Sequence, residues 1–215
     1  MKIAKPLVLA GVIVGGMVVA SALAWPHLPD PSPTHFGLDG RPDRFGSRAE
    51  GAFVMPLAAA LVAAAFVLLP RIMPTRGRLD RSSGAWATVT VATVAFLALA
   101  HAVVLARAAG APVDAPRLLT AGLGVLLAVL GDLLGKVRYN FVFGVRTPWT
   151  LADERVWDRT HRAVGPWMMA WGGLVALGAL WGGSAIVWTT AAGAVGLVLF
   201  CLGFSYATAR RLGAA

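Results

Sequence analysis

The sequence is short of charge. Only 13% of its 215 residues are Asp, Glu, Lys or Arg, about half the share of a soluble globular domain, and acidic residues are scarcer (10) than basic ones (19). Cysteine occurs once, as Cys201, which excludes an intramolecular disulfide and a cysteine-based metal site and leaves a buried, inert thiol as the expected state. The metalloprotease helix HExxH, the nucleophile elbow GxSxG, the Walker loop and the dinucleotide fingerprint are all missing. A paired-aspartate intramembrane protease needs two aspartates within apolar spans, and only Asp132 approaches that position. The strict alternation of membrane barrel strands is absent, as is any clear internal repeat.

What fills the chain is apolar sequence: 58% hydrophobic residues and a mean hydropathy of +0.72. A helix needs about 20 apolar residues to cross the hydrocarbon core, and lipid forces backbone polar groups to pair internally. Six runs meet this demand: Pro6 to Trp25, Ala52 to Ile72, Gly84 to Ala108, Leu118 to Leu134, Val164 to Trp181 and Ala185 to Ala209. The last two are separated by Gly182-Gly183-Ser184 and should form an antiparallel hairpin. In the first run, Ala20-Ser21-Ala22 and Ala22-Leu23-Ala24 resemble signal-peptide cleavage sites. The run is longer than the 7–15 residues of a typical signal h-region, so an uncleaved helix is expected.

The net charge of +9 is a matter of topology rather than of nucleic acid, because the basic residues sit between the apolar runs. With the first residues inside, the cytoplasmic side receives Lys2, Lys5, Arg71, Arg76, Arg78, Arg81, Lys136, Arg138, Arg146, Arg155, Arg159, Arg162, Arg210 and Arg211. The outside receives Arg41, Arg44, Arg48, Arg107 and Arg117. This asymmetry predicts an all-α membrane protein: a six-helix transmembrane bundle with both termini cytoplasmic.

Two connections are longer than the chain path requires. Five prolines run from Pro26, just before the outer loop of residues 27–51, to Pro42 within it, and with the turn dipeptide Asp39-Gly40 they should make the loop stiff and folded back on itself. It presents Asp30, His35, Asp39 and Asp43, which either form a nitrogen–oxygen metal site or serve the loop's own backbone and the helix ends. In the inner loop, residues 135–163, Thr150 reads as an N-cap, with Asp153 or Glu154 completing a capping box. A short interfacial helix from Leu151 to His161 is expected to follow. Leu151, Val156, Trp157 and Thr160 would face the bilayer, and Arg155, Arg159 and Arg162 the headgroups.

Two ionisable residues lie within or near the spans. His101 either meets His35 beneath the outer loop or is a neutral histidine bonded to a helix carbonyl. Asp132 is four residues from Lys136, the spacing of a helical ion pair. Gly122-x-Gly124 and Gly172-Gly173 permit close helix packing.

The outer loop, Leu28-Pro29-Asp30 through Pro33-Thr34-His35-Phe36 to Gly40-Arg41-Pro42-Asp43, resembles the membrane domain of unknown function that opens many SdpI-like proteins. The inner loop resembles the SdpI/YfhL family. The likeness is carried by Arg138-Tyr139-Asn140-Phe141, by Gly144-Val145-Arg146-Thr147-Pro148-Trp149-Thr150-Leu151, and by Val156-Trp157 followed by Thr160-His161-Arg162. The resemblance implies an N-terminal domain over 1–72 and an SdpI-like domain over 73–215. It further implies immunity to a secreted killing peptide, with Asp30, His35, Asp39 and Asp43 on the toxin side. A small repressor would be drawn to the inner side, at Arg146, Trp149, Trp157 and Arg162, and no cofactor is implied. Two other readings compete: a small transporter using His101 and Asp132, and a membrane-embedded metal-dependent enzyme using His35 and His101.

Overall fold

The structure, a computed structural model, describes residues 4–37, 40–72, 82–182 and 184–214. Asp39, Lys2, Arg76, Arg78 and Arg81 from the sequence reading lie outside the described residues. The elements run α1 (Ala4–Ala24), a 3-10 turn (Trp25–His27), β1 (Ser32–Phe36), β2 (Pro42–Gly46), α2 (Arg48–Ile72), α3 (Ser83–Ala108), α4 (Ala115–Leu134), α5 (Pro148–Ala152), α6 (Glu154–Gly178) and α7 (Ser184–Leu212). The fold is helical as expected, with one departure from all-α: the stiff outer loop is an antiparallel β-hairpin.

Among the described residues five helices are long and apolar enough to cross a membrane: α1 with its 3-10 turn, α2, α3, α4 and α7. The protein is a multi-pass membrane protein. The remaining expected span, Val164 to Trp181, falls on the end of α6, whose first half carries Glu154, Arg155, Asp158, Arg159 and Arg162. Its apolar part, residues 164–178, is roughly 22 Å long at 1.5 Å per residue, short of the ~30 Å hydrocarbon core.

The described ends are set by local chemistry. Asp114 caps α4 by accepting the Arg117 N–H at 3.1 Å, with Pro116 in the first turn. Asp153 caps α6 by accepting the Arg155 N–H at 2.7 Å. Arg155 also bonds this carboxylate through its side chain, which holds Asp153 down at about 2.

Helices α1 and α2 pack on each other and both pack on α3, which joins them to the rest. The most extensive packing is between α4 and α6. There the backbones touch. A methyl group on Gly124 would sit 2.7 Å from the Gly172 carbonyl oxygen, and one on Gly172 would sit 2.6 Å from that of Gly124. Seven residues along each helix, Gly131 and Gly165 face each other's carbonyl oxygens in the same way at 2.8 Å. Of the pairs singled out in the sequence, Gly124 and Gly172 form this seam. Gly122 instead faces Phe96 and Leu99 of α3, and Gly173 faces open space.

The adjacent glycines make a clean test. Gly172→Leu, which drives a side chain into the α4 backbone, should cost about 1–3 kcal/mol or more. Gly173→Leu should stay within about 0.5 kcal/mol of wild type. Unfolding midpoints in mixed detergent micelles would read both, and equal effects would refute the seam.

Candidate functional site

The long connections lie at opposite ends of α3. The hairpin sits over its C-terminal end, where Leu28, Ala52 and Leu105 are buried together and Arg107 donates to the Gly40 carbonyl at 2.8 Å. The Arg107 guanidinium also lies 5.5 Å from the Phe36 ring centre. The inner loop meets the N-terminal end of α3, where Ser82 accepts the Arg138 N–H at 2.9 Å and Trp86 packs on Phe143 at 5.2 Å.

On the hairpin, His35 Nδ1 and Asp43 Oδ1 are 2.6 Å apart across the strands, with both side chains more than half exposed. Arg44 pairs with Glu50 at the foot of α2, and Phe45 is exposed. Asp30 is exposed on the approach to β1. The hairpin therefore offers water a polar face with one aromatic ring.

His101 is not part of that face. It is 1% exposed, with Nε2 3.0 Å from Ser21 Oγ and 3.3 Å from the Met17 carbonyl oxygen. The single Ser21 hydroxyl hydrogen goes to the Ala52 carbonyl, so His101 Nε2–H is the donor toward α1 and Nδ1 is left without a partner. Of the two sequence alternatives, the histidine bonded to a helix carbonyl describes His101, and His35 has Asp43 as its partner instead. Asp132 forms the expected ion pair with Lys136 at 2.7 Å, exposed at the end of α4. His101 and Asp132 thus have separate partners. Among the described residues no three His, Cys, Asp or Glu side chains come together as a metal site would require.

The inner loop is built around buried polar side chains. Asn140, fully buried, accepts the N–H groups of Val142 and Phe143 at 2.7 and 2.9 Å and donates to the carbonyls of Arg138 and Phe143. One amide thereby satisfies four backbone groups of a tight turn. Trp157, also fully buried, donates through Nε1 to the Val137 carbonyl at 3.0 Å and stacks on His161 at 4.0 Å between ring centres. Tyr139 packs edge-on against Trp157 and donates its hydroxyl to the Leu151 carbonyl at 2.6 Å.

His161 closes the loop onto α6. Its Nδ1–H donates to the Trp157 carbonyl at 2.9 Å, and Nε2 accepts the Val145 N–H at 2.9 Å, which fixes one neutral tautomer. Burial pushes its pKa down to about 4. Gly144, beside it, has φ +120°, and a β-carbon there would collide with His161 Nε2 and crowd the Trp157 ring at 3.0 Å.

The sequence reading of this region needs three corrections. The N-cap is Thr147, not Thr150. Thr147 Oγ1 takes the Thr150 N–H, and Thr150 Oγ1 takes the Thr147 N–H at 2.9 Å, so Thr150 fills the reciprocal place expected for an acidic residue. Residues 151–161 do not form one separate helix: α5 ends at Ala152, Asp153 is extended, and α6 runs without a break from Glu154 to Gly178. Val156, Trp157 and Thr160, expected to face lipid, are fully buried in the protein, because Trp157 and its neighbours fill the space between α6 and the loop.

Partners from elsewhere in the chain complete the site. Thr147 Oγ1 donates to Ser205 Oγ of α7 at 3.0 Å, and Trp149 packs on Tyr206 at 5.0 Å. Ser205, Tyr206, Ser82, Trp86 and Ser21 carry no signal in the sequence, since isolated serines and aromatics in apolar runs are common. Arg146 and Arg162 remain exposed, each bonding a backbone carbonyl, of Phe141 and Asp158 respectively. Of the motif side chains, Asn140, Thr147, Thr150, Trp157 and His161 are buried, Pro148 is exposed and Trp149 is half-buried.

Residues 136–207, which hold this loop and its partners, match the SdpI/YfhL protein family. This part of the chain is SdpI/YfhL-like. Residues 12–60, spanning α1 through the hairpin into α2, match a domain of unknown function, DUF1648. The chain is 32% identical over 66 residues to the Immunity protein SdpI of Bacillus subtilis (strain 168), a match covering 31% of this chain and 32% of that relative. It therefore spans about a third of that relative's length. No solved structure matches the chain.

Protonation of His161 is the lever on this loop. Its ordinary value is 6.5 and its folded value about 4, so folding favours the neutral ring. That contribution is complete above pH 6.5 and is lost progressively as pH falls toward 4, to a total of roughly 3 kcal/mol. Limited proteolysis of residues 136–147 should accelerate through this window in wild type, and His161→Phe should flatten the dependence. Parallel pH profiles would show that another group is responsible.

Proposed function

We propose that this protein is a membrane immunity protein of the SdpI type that protects a bacterium against a secreted killing peptide. The observation that carries the reading is the SdpI/YfhL motif knitted into a buried network at one end of the bundle, with an exposed polar hairpin at the other. The immunity name of the Bacillus relative supports it.

In this reading there are six spans, with α6 as the sixth, held along α4 by the glycine seam despite its short apolar half. The distribution of Lys and Arg supports both termini in the cytoplasm and the hairpin outside. Asp30, His35 and Asp43 are the toxin-side groups, and Asp39 in the same turn is assigned with them. The division into an N-terminal domain over 1–72 and an SdpI-like domain over 73–215 then separates the receiving end from the motif end. Signalling is the finer part of the proposal: with toxin bound outside, the inner end draws a small repressor to the membrane. Exposure restricts that contact to Arg146, Arg162 and the edge of Trp149, and Trp157 acts from within the scaffold.

Survival of a sensitive bacterium expressing the chain and challenged with the family's killing peptide tests the reading. Wild type should protect, His35→Ala should lose protection, and Arg146→Ala should keep it while losing toxin-induced expression from a reporter. A well-expressed wild type that gives no protection would remove the immunity reading.

A further inference from the structure

Beside the buried motif lies a second feature, a cleft that shares Arg162 with the proposed repressor contact. A polar cleft of ≈ 240 Å³ opens between the end of α4 and the first turns of α6, lined by Gly135, Lys136, Arg138, Asp158, His161 and Arg162 around Val137. Its cations are incompletely neutralised. Lys136 is paired with Asp132. Arg162 spends its Nε–H on the Asp158 carbonyl, and its two terminal nitrogens have no protein partner among the described residues. Arg138 is anchored through its backbone N–H to Ser82, and its guanidinium likewise has none.

Two forked guanidiniums and an ammonium around one opening match the oxygens of a phosphate group. The Asp158 carboxylate narrows the choice. It repels an anion that offers only acceptors, and it accepts a hydrogen bond from an anion that keeps a P–OH. A phosphomonoester, whose second ionisation lies near pH 6, can bring such a proton to the carboxylate, and a phosphodiester has none to bring. Gly135 lies on the rim, and a β-carbon there would meet open space, so its lack of a side chain keeps the opening clear without being required by packing.

We propose that this cleft binds a phosphomonoester group, carried by a lipid headgroup or by free phosphate, with Arg138 and Arg162 as its principal ligands and Asp158 selecting for the protonated oxygen. The inference does not depend on the immunity reading.

The full chain, purified in a neutral detergent, is titrated with dioleoyl phosphatidic acid, with dioleoyl phosphatidylglycerol and with inorganic phosphate, and retained ligand is read by native mass spectrometry. Wild type should retain phosphatidic acid in preference to phosphatidylglycerol. Arg138→Gln with Arg162→Gln should lower retention at least about tenfold, as expected when charge-assisted bonds are lost. Gly135→Gln, which fills the cleft and keeps every cation, should lower it as well, and so guards against a misfolded arginine variant. Arg155→Gln with Arg159→Gln, which removes the same charge outside the cleft, should not. Displacement of phosphatidic acid by millimolar inorganic phosphate identifies the free anion as a sufficient ligand, and retention that survives phosphate identifies the lipid. Equal retention of the two lipids, or equal loss in the control pair, overturns the proposal.

Discussion

Helices α4 and α6 approach until backbone meets backbone, and the rest of the molecule is arranged around that contact. Lipid tails are as apolar as leucine, so helices in a bilayer gain little by hiding apolar side chains from their solvent. What holds them is close packing, and close packing here needs Gly124, Gly131, Gly165 and Gly172 at matching heights. The seam also positions α6. Half of that helix is too charged and the other half too short to be placed by hydropathy, and α4 supplies the wall it leans on.

The seam also fixes the geometry of the connection between its two helices. With the end of α4 and the start of α6 held side by side, residues 135–153 must turn back within a confined space. Backbone groups in such a turn need internal partners. Asn140, His161, Trp157 and the Thr147–Thr150 pair supply them, and each does so from a buried position. The family motif in this chain is thus largely the chemistry of a loop that has little water to bond to. Its exposed arginines, Arg146 and Arg162, are what the scaffold presents.

Much of this was legible in the sequence because it is written locally. Apolar runs long enough to span located α1, α2, α3, α4 and α7 to within a few residues. The prolines and turn residues of the outer loop announced a chain folded back on itself, though not that it would pair as strands. The i,i+4 spacing gave the Asp132–Lys136 pair. The buried face of α6 was misread because amphipathicity shows that a face is apolar but not what covers it. Lipid and a folded-back loop both satisfy Val156 and Trp157. The capping residue was misplaced by three positions because threonines stand at both ends of the box. Contacts such as Ser21 with His101, or Thr147 with Ser205, join residues 80 and 58 apart, and no local pattern encodes them.

The bond from Thr147 to Ser205 has a bearing on how the protein is made. Ser205 sits near the end of α7, while the loop it steadies is synthesised well before it. During translation the loop emerges with Asn140, Trp157 and His161 already available, but the hydroxyl that Thr147 needs and the Tyr206 ring that covers Trp149 arrive only with the last helix. The motif end is therefore completed late, when α7 arrives. A chain that stops short of α7 lacks both the Ser205 hydroxyl and the Tyr206 ring, and its motif end stays unlatched.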